Sequence, residues 1–324
     1  MMTPYEKKQL LTLNETLSKR VQIGVIETDH EKSRSIRQFC DTLSQMVPKI
    51  RIKQEEGDSN EFPAIRVHRG LRYQAVPSGT EVGPFIEALQ LLASGKAQIN
   101  ESLRARVEKI DLPTNLVIYV SPQCTFCPEA LRQLLPLPIL NHHIRLTIID
   151  GIHFPELAEN DRIQSIPTLI LEGRFRWTGT FQINEIADVM ANRDPGVLGP
   201  ASLEMMLKEG KASRLAEMML EKTKIFPAFY EVLVHPKWPV RLGAMVVMDE
   251  LIEKNLDLAL QSLEPLCERF YKADNRVKGD LLYVFGEMQQ KEIMPWLETI
   301  IIGDYDAEVK EAAREALDKL KQKE

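Results

Sequence analysis

Two cysteines three positions apart, in Cys124-Thr125-Phe126-Cys127, follow closely on the apolar run Leu116-Val117-Ile118-Tyr119-Val120. The spacing predicts a dithiol where a strand turns into a helix, a position suited to electron exchange. Near a helix N-terminus, unpaired backbone N–H groups and the helix dipole favour a thiolate at Cys124, and Cys127 lies one turn along, within bonding reach. The other readings of such a pair are half of a zinc site or two inert thiols. Zinc needs four ligands, and only Cys40, Cys267 and scattered histidines remain to complete a set, so redox chemistry is favoured.

The elements that must position these sulfurs can be read on both sides of the pair. Downstream, Ser165-Ile166-Pro167-Thr168 places a proline at the start of the apolar strand Thr168-Leu169-Ile170-Leu171. A proline is tolerated there because no ladder donor is lost, and a cis Ile166–Pro167 bond would make the tight turn into the strand. A helix is expected over 128–135, a strand through Ile144-Arg145-Leu146-Thr147-Ile148-Ile149, and a second helix over 155–162. After Pro167 come a strand, a turn at Glu172-Gly173, a short strand through Phe175 and Trp177, and a helix over 184–191. This β-α-β-α-β-β-α order is that of a thioredoxin-like domain.

Residues Ile149-Asp150-Gly151-Ile152-His153-Phe154, Ile166-Pro167-Thr168 and the Glu172-Gly173 turn resemble the redox-active half of one known module. It is the N-terminal domain of the alkyl hydroperoxide reductase flavoprotein subunit, which is similar to the archaeal protein disulfide oxidoreductases; both are tandem pairs of thioredoxin-like folds. The first half of the chain fits such a pair. Val21-Gln22-Ile23-Gly24-Val25-Ile26 and Ile50-Arg51-Ile52-Lys53 read as strands around a helix over 31–46, and Phe62-Pro63 again precedes an apolar run. The stretch 70–79 and a helix over 83–92 are also similar to the module's first half. Thr28-Asp29-His30 stands where a cysteine pair would be, so this half is expected to be redox-silent, as in the flavoprotein. The resemblance implies a partner of flavoprotein reductase type on a separate chain, because no Gly-x-Gly-x-x-Gly fingerprint occurs in the sequence.

From about Pro200 the composition shifts toward Leu, Met, Glu and Lys with helical periodicity. Val240-Arg241, Val277-Lys278 and Val309-Lys310 recur, each followed by small or apolar residues and each opening a helix. The pattern resembles HEAT-type repeats, whose stacked helix pairs form a platform for a protein partner. Arg241, Lys278 and Lys310 are placed to bond carbonyls of the preceding helix. The expected organisation is a redox-silent thioredoxin-like domain over 1–110, a redox-active one over 111–198, and an all-α HEAT-like repeat domain over 199–324.

A length of 324 residues with 44% hydrophobic residues suits several packed cores. The net charge of −6 and the lack of a basic patch speak against nucleic acid. The polar start lacks the apolar core of a signal peptide, no run reaches membrane-spanning length, and four cysteines suit a reducing cytoplasm. Cys40 and Cys267 are expected to be small buried hydrophobes, and His142 and His143 to be solvated. Trp177 and Phe181 edge a groove or pack the terminal hairpin. Thioredoxins carry a buried acid in the strand before the dithiol; here 116–120 has none, leaving Glu129 or water to accept the Cys127 proton.

The chain is therefore expected to be a cytoplasmic thiol–disulfide oxidoreductase acting on protein disulfides. Cys124 attacks, Cys127 resolves, and the backbone at Ile166 and Pro167 binds the partner's extended chain. No bound cofactor is expected beyond the Cys124–Cys127 disulfide itself. Thr125-Phe126 matches no calibrated motif, which leaves the direction of electron flow open. The competing reading is a scaffold or redox-sensing adaptor built on the helical repeats, and an isomerase or chaperone would need only a higher dithiol potential.

Overall fold

A computed structural model describes residues 2–57, 61–97 and 99–321. The chain divides into two compact units, Met1–Arg193 and Asp194–Glu324.

The first unit is built on one eight-stranded sheet in the order β2-β1-β3-β4-β6-β5-β7-β8. Its strands are β1 Val21–Glu27, β2 Ile50–Glu56, β3 Ala64–His68, β4 Leu71–Gln74, β5 Thr114–Val120, β6 Ile144–Asp150, β7 Thr168–Leu171 and β8 Phe175–Thr178. The two halves repeat one pattern. In the first, β1 pairs parallel with β2 and antiparallel with β3, and β3 pairs antiparallel with β4. In the second, β5 does the same with β6 and β7, and β7 pairs with β8. Parallel pairing of β4 with β6, with Leu71 opposite Leu146 and Tyr73 opposite Ile148, makes the two half-sheets continuous. All four of those side chains are buried, so the join belongs to the hydrophobic core.

The helices cover this sheet because their apolar residues fall on one stripe. The Ser33–Met46 helix buries Ile36, Phe39, Cys40 and Leu43, and the Cys127–Leu134 helix buries Cys127, Ala130, Leu131 and Leu134. Both sets follow the i, i+3, i+4, i+7 spacing. Phe85, on the Val82–Ser94 helix, packs edge-on against Tyr73 at 5.2 Å and Phe39 at 5.7 Å. Phe85→Ala is expected to destabilise this unit by about 3–5 kcal/mol, read from the urea unfolding midpoint. The exposed edge strand β2 carries Arg51, Lys53, Gln54, Glu55 and Glu56, charges and amides that discourage pairing with other chains. A buried Arg193–Glu172 pair at 3.6 Å ties the end of the unit to the β7–β8 turn; Thr114 Oγ1 and the Pro113 carbonyl accept from Arg193, and the Asn115 N–H donates to Glu172.

Among the helices of this unit outside the expected pattern, two are marked by their caps. Pro4–Leu11 opens with a capping box between Thr3 and Glu6, and Glu101–Glu108 is capped by Asn100. Both are short and polar, so their capping residues announce them better than periodicity does.

Among its described residues, the second unit is built of helices joined by turns and loops, with no strand. The three Val-basic pairs sit in the first turns of its longest helices, Trp238–Lys254, Asn275–Met288 and Ala307–Lys321, where Val240, Val277 and Val309 are buried. The first of these packs on the second and the second on the third. Arg241 donates to the His235 and Pro236 carbonyls, just after the preceding helix, and to Asp280 Oδ2 at 2.6 Å on the next long helix. Lys278 instead lies over the rings of Phe270 and Tyr305. Gly286 permits the third helix to approach, since a Cβ there would press on Ala316.

Candidate active site

Cys127 is the first residue of its helix, and Pro128 follows at a position where a missing backbone N–H costs no helical bond. Cys124 and Cys127 are joined as a disulfide with Cα atoms 5.5 Å apart. The Cys127 N–H donates to Cys124 Sγ at 3.1 Å. A helix-terminal N–H aimed at the leading sulfur favours negative charge on it once the bond opens. Cys127 is fully buried, whereas Cys124 is partly exposed. Cys124 is therefore the more accessible cysteine of the two.

The Ile166–Pro167 peptide is cis, as the sequence suggested, and Cys124 Sγ lies 3.9 Å from the Ile166 carbonyl oxygen. This loop is held from both ends. Thr168 Oγ1 donates to the Ser165 carbonyl at 2.7 Å and lies 3.2 Å from Thr178 Oγ1. The Tyr119 hydroxyl, one strand away, reaches Asp161 Oδ2 at 2.6 Å and fixes the segment after the Pro155–Asn160 helix. Asp150 accepts the backbone N–H groups of Ile152 and His153, holding a turn whose Gly151 faces Ile166. His153 Nε2 lies 3.2 Å from Ser35 Oγ, and burial pushes its imidazole below the usual range. Phe126 and Ile152 stay about two-thirds exposed on this surface, at 63% and 62%.

The first half brings a residue that the sequence did not single out. Gly79–Glu81 forms a single turn that packs beside the Cys127–Leu134 helix. Glu81 is only 2% exposed and neither of its carboxyl oxygens meets a well-formed hydrogen bond. Burial first, then the charge of Asp150, push its carboxyl up to about 8, against a small opposing contact with the Ser78 backbone. Glu129, considered from sequence as the acid, is exposed and bonded to Gln133. The available signal for Glu81 was an acid heading an otherwise apolar helix, Val82-Gly83-Pro84-Phe85-Ile86.

At the corresponding strand end of the first half, His30 packs against Phe62 and Phe154 with centroids 5.1 and 5.7 Å apart, and its Nε2 lies 3.0 Å from Glu156. Side chains of the second half thus close the place where the first would carry a dithiol. Cys40 is buried and its thiol is pushed up to about 12 by burial; Cys267 is half-buried and raised for the same reason. His142 is exposed, with its ring 4.0 Å from that of His143. Phe181 is buried and Trp177 stacks on Phe175, both packing the hairpin end.

A thioredoxin domain model matches residues 114–191. The N-terminal region is thioredoxin-like. An alkyl hydroperoxide reductase polypeptide of Pseudomonas aeruginosa is 26% identical over 185 residues, covering 56% of this chain and 35% of that protein. An NADH dehydrogenase of Bacillus subtilis is 25% identical over 191 residues, covering 57% and 37%. The chain thus spans about a third of the length of these curated relatives. Among solved structures, the N-terminal domain of the Enterococcus faecalis alkyl hydroperoxide reductase matches with a TM-score of 0.52 and 22% identity, covering 59% of this chain and all of that one. A protein disulfide oxidoreductase of Aeropyrum pernix matches with a TM-score of 0.52 and 13% identity, over 60% and 95%. Fold, relatives and the cysteine pair together support thiol–disulfide redox chemistry in general. Among the described residues, no helix is long and apolar enough to cross a membrane.

Proposed function

We propose that the protein is a thiol–disulfide oxidoreductase that exchanges electrons with disulfides of partner proteins through Cys124 and Cys127. The observation that carries this reading is a partly exposed Cys124 whose sulfur lies between a helix-terminal N–H and the Ile166 carbonyl, backed by a buried Cys127. In the reducing direction the Cys124 thiolate attacks one sulfur of a partner disulfide. A Cys124–partner disulfide forms and the other partner sulfur leaves as a thiolate. Cys127 then loses its proton, attacks Cys124 Sγ, and expels the second partner thiolate; two electrons have passed to the partner and the intramolecular disulfide remains. Glu81, buried on the turn that packs beside the Cys127–Leu134 helix, is the group we assign to take the Cys127 proton, and its raised carboxyl returns it when the bond is reduced again.

The backbone at Ile166 and Pro167 would pair with the partner's extended chain, and exposed Phe126 and Ile152 favour apolar residues beside its cystine. A separate flavoprotein reductase would renew the dithiol, and the cytoplasm is the compartment that suits it. The experiment is insulin reduction by dithiothreitol: the protein is expected to accelerate precipitation well beyond the dithiothreitol background. Background rate at every protein concentration would remove the reading.

One observation favours a second role. Trp238, Leu242 and Val246, spaced four apart on one helix, are 48%, 45% and 45% exposed. Such a stripe suits a protein partner on HEAT-like repeats, with the dithiol then acting as a redox-sensing module of an adaptor.

A further inference from the structure

We infer that Thr80, in the half without a cysteine pair, is a positioning residue for Cys124, holding the dithiol loop so that the Cys124 sulfur stays on the Cys127 N–H. This deepens the reading above and rests on it. The internal bonds of the loop between β5 and its helix all converge on Ser121: the Cys124 N–H donates to its carbonyl at 3.1 Å, the Gln123 N–H reaches its Oγ at 3.4 Å, and that Oγ donates to Gln123 Oε1 at 3.2 Å. Two of its carbonyls are instead held from outside. The Thr80 N–H donates to the Pro122 carbonyl at 2.9 Å, and Thr80 Oγ1 donates to the Cys124 carbonyl at 3.0 Å.

The anchor is itself braced. Gly79 has φ +55 and lies so close to Pro122 that a Cβ would run into its carbonyl oxygen, a position only glycine fits without strain. The Gly79 N–H donates to Glu6 Oε1 at 2.7 Å, and Glu6 is buried, with its other oxygen on the Thr3 N–H at 2.6 Å. A chain of bonds thus runs from the first helix through Gly79 and Thr80 to the redox loop. While the disulfide is closed, the covalent link fixes Cys124. Once it opens, the bonds to the loop carbonyls decide how much of the time the sulfur faces the Cys127 N–H, and with it how readily the thiolate forms.

Thr80→Val keeps the side-chain shape and the backbone bond and removes only the hydroxyl donor. In the reduced full-length protein, alkylation of Cys124 by iodoacetamide, located by mass spectrometry, is followed from pH 5 to 9. The Thr80→Val profile is expected to shift to higher pH, with the rate at pH 7 falling about threefold to tenfold, the factor that one net hydrogen bond is worth. Thr80→Ser should restore the wild-type profile. A Thr80→Val profile that overlies wild type, or a Thr80→Ser as slow as Thr80→Val, would overturn the assignment. If near-UV circular dichroism shows that Val disrupts packing, Thr80→Ala takes its place under the same criteria. A wild-type Cys124 that stays inert up to pH 9 would instead strike at the proposed oxidoreductase function.

Discussion

Cys124→Ser is expected to lower insulin-reducing turnover to the background rate, a loss of at least about a thousandfold for a residue that forms the covalent intermediate. Serine keeps the size but not the nucleophile, because a hydroxyl is not ionised at neutral pH and cannot exchange with a disulfide. Cys127→Ser is expected to give a different result: loss of turnover together with accumulation of a covalent adduct to the partner. Cys127 is buried behind Cys124, so its role lies after the encounter rather than in it. Non-reducing electrophoresis and intact mass measurement separate the two variants. Undiminished turnover in Cys124→Ser, or an adduct that forms equally in both, would refute the assignment of leading and resolving sulfurs.

Glu81→Gln is expected to slow resolution of a preformed mixed disulfide by about a hundredfold at pH 9, where the carboxyl is ionised and free to accept, the low end of what a positioned proton acceptor supplies, and by less at pH 7, where it is mostly protonated. Stopped-flow measurement on a Cys124-linked thionitrobenzoate adduct reads that step alone, and an unchanged rate would exclude Glu81 as the acceptor. The same carboxyl predicts a stability effect of definite sign. Its value in the folded chain, about 8, stands above the ordinary 4.5. Between those limits the folded state holds a proton that the unfolded chain has lost. Stability therefore falls as pH rises from about 4.5 toward 8, by up to about 1.4 kcal/mol per unit, and levels off above. Glu81→Gln cannot ionise and should flatten that slope in urea midpoints measured across the range; an unaltered slope would mean that another group causes it.

The cysteine pair and the buried Glu81 beside its helix were unequally legible. The Cys124-x-x-Cys127 pair and Pro167 are written in short stretches whose neighbours fix their conformation: an apolar strand before, a stripe at helical spacing after, and a proline opening the next strand. The strands and helices of both halves emerge from the same alternation and 3.6-residue spacing, with the Ser33–Met46 helix beginning two residues later than its pattern suggests. The helices Pro4–Leu11 and Glu101–Glu108 escaped because they bury few residues each, and only their caps mark them. In the second unit, the recurring Val-basic pairs identified helix starts, yet Arg241 and Lys278 find different partners, an aspartate in one case and aromatic rings in the other.

Sequence alone determined that a dithiol stands at a helix start, because backbone capping and side-chain periodicity act between residues a few positions apart. Only the tertiary structure decided what surrounds it. Thr80 and Cys124 are 44 positions apart and meet because β4 pairs with β6, placing the turn after β4 against the loop after β5. Burial of the Leu71–Leu146 and Tyr73–Ile148 contacts fixes that register, since slipping one residue would turn the apolar faces outward. The half without a cysteine pair thereby supplies a buried carboxyl and a loop anchor beside the dithiol of the other half.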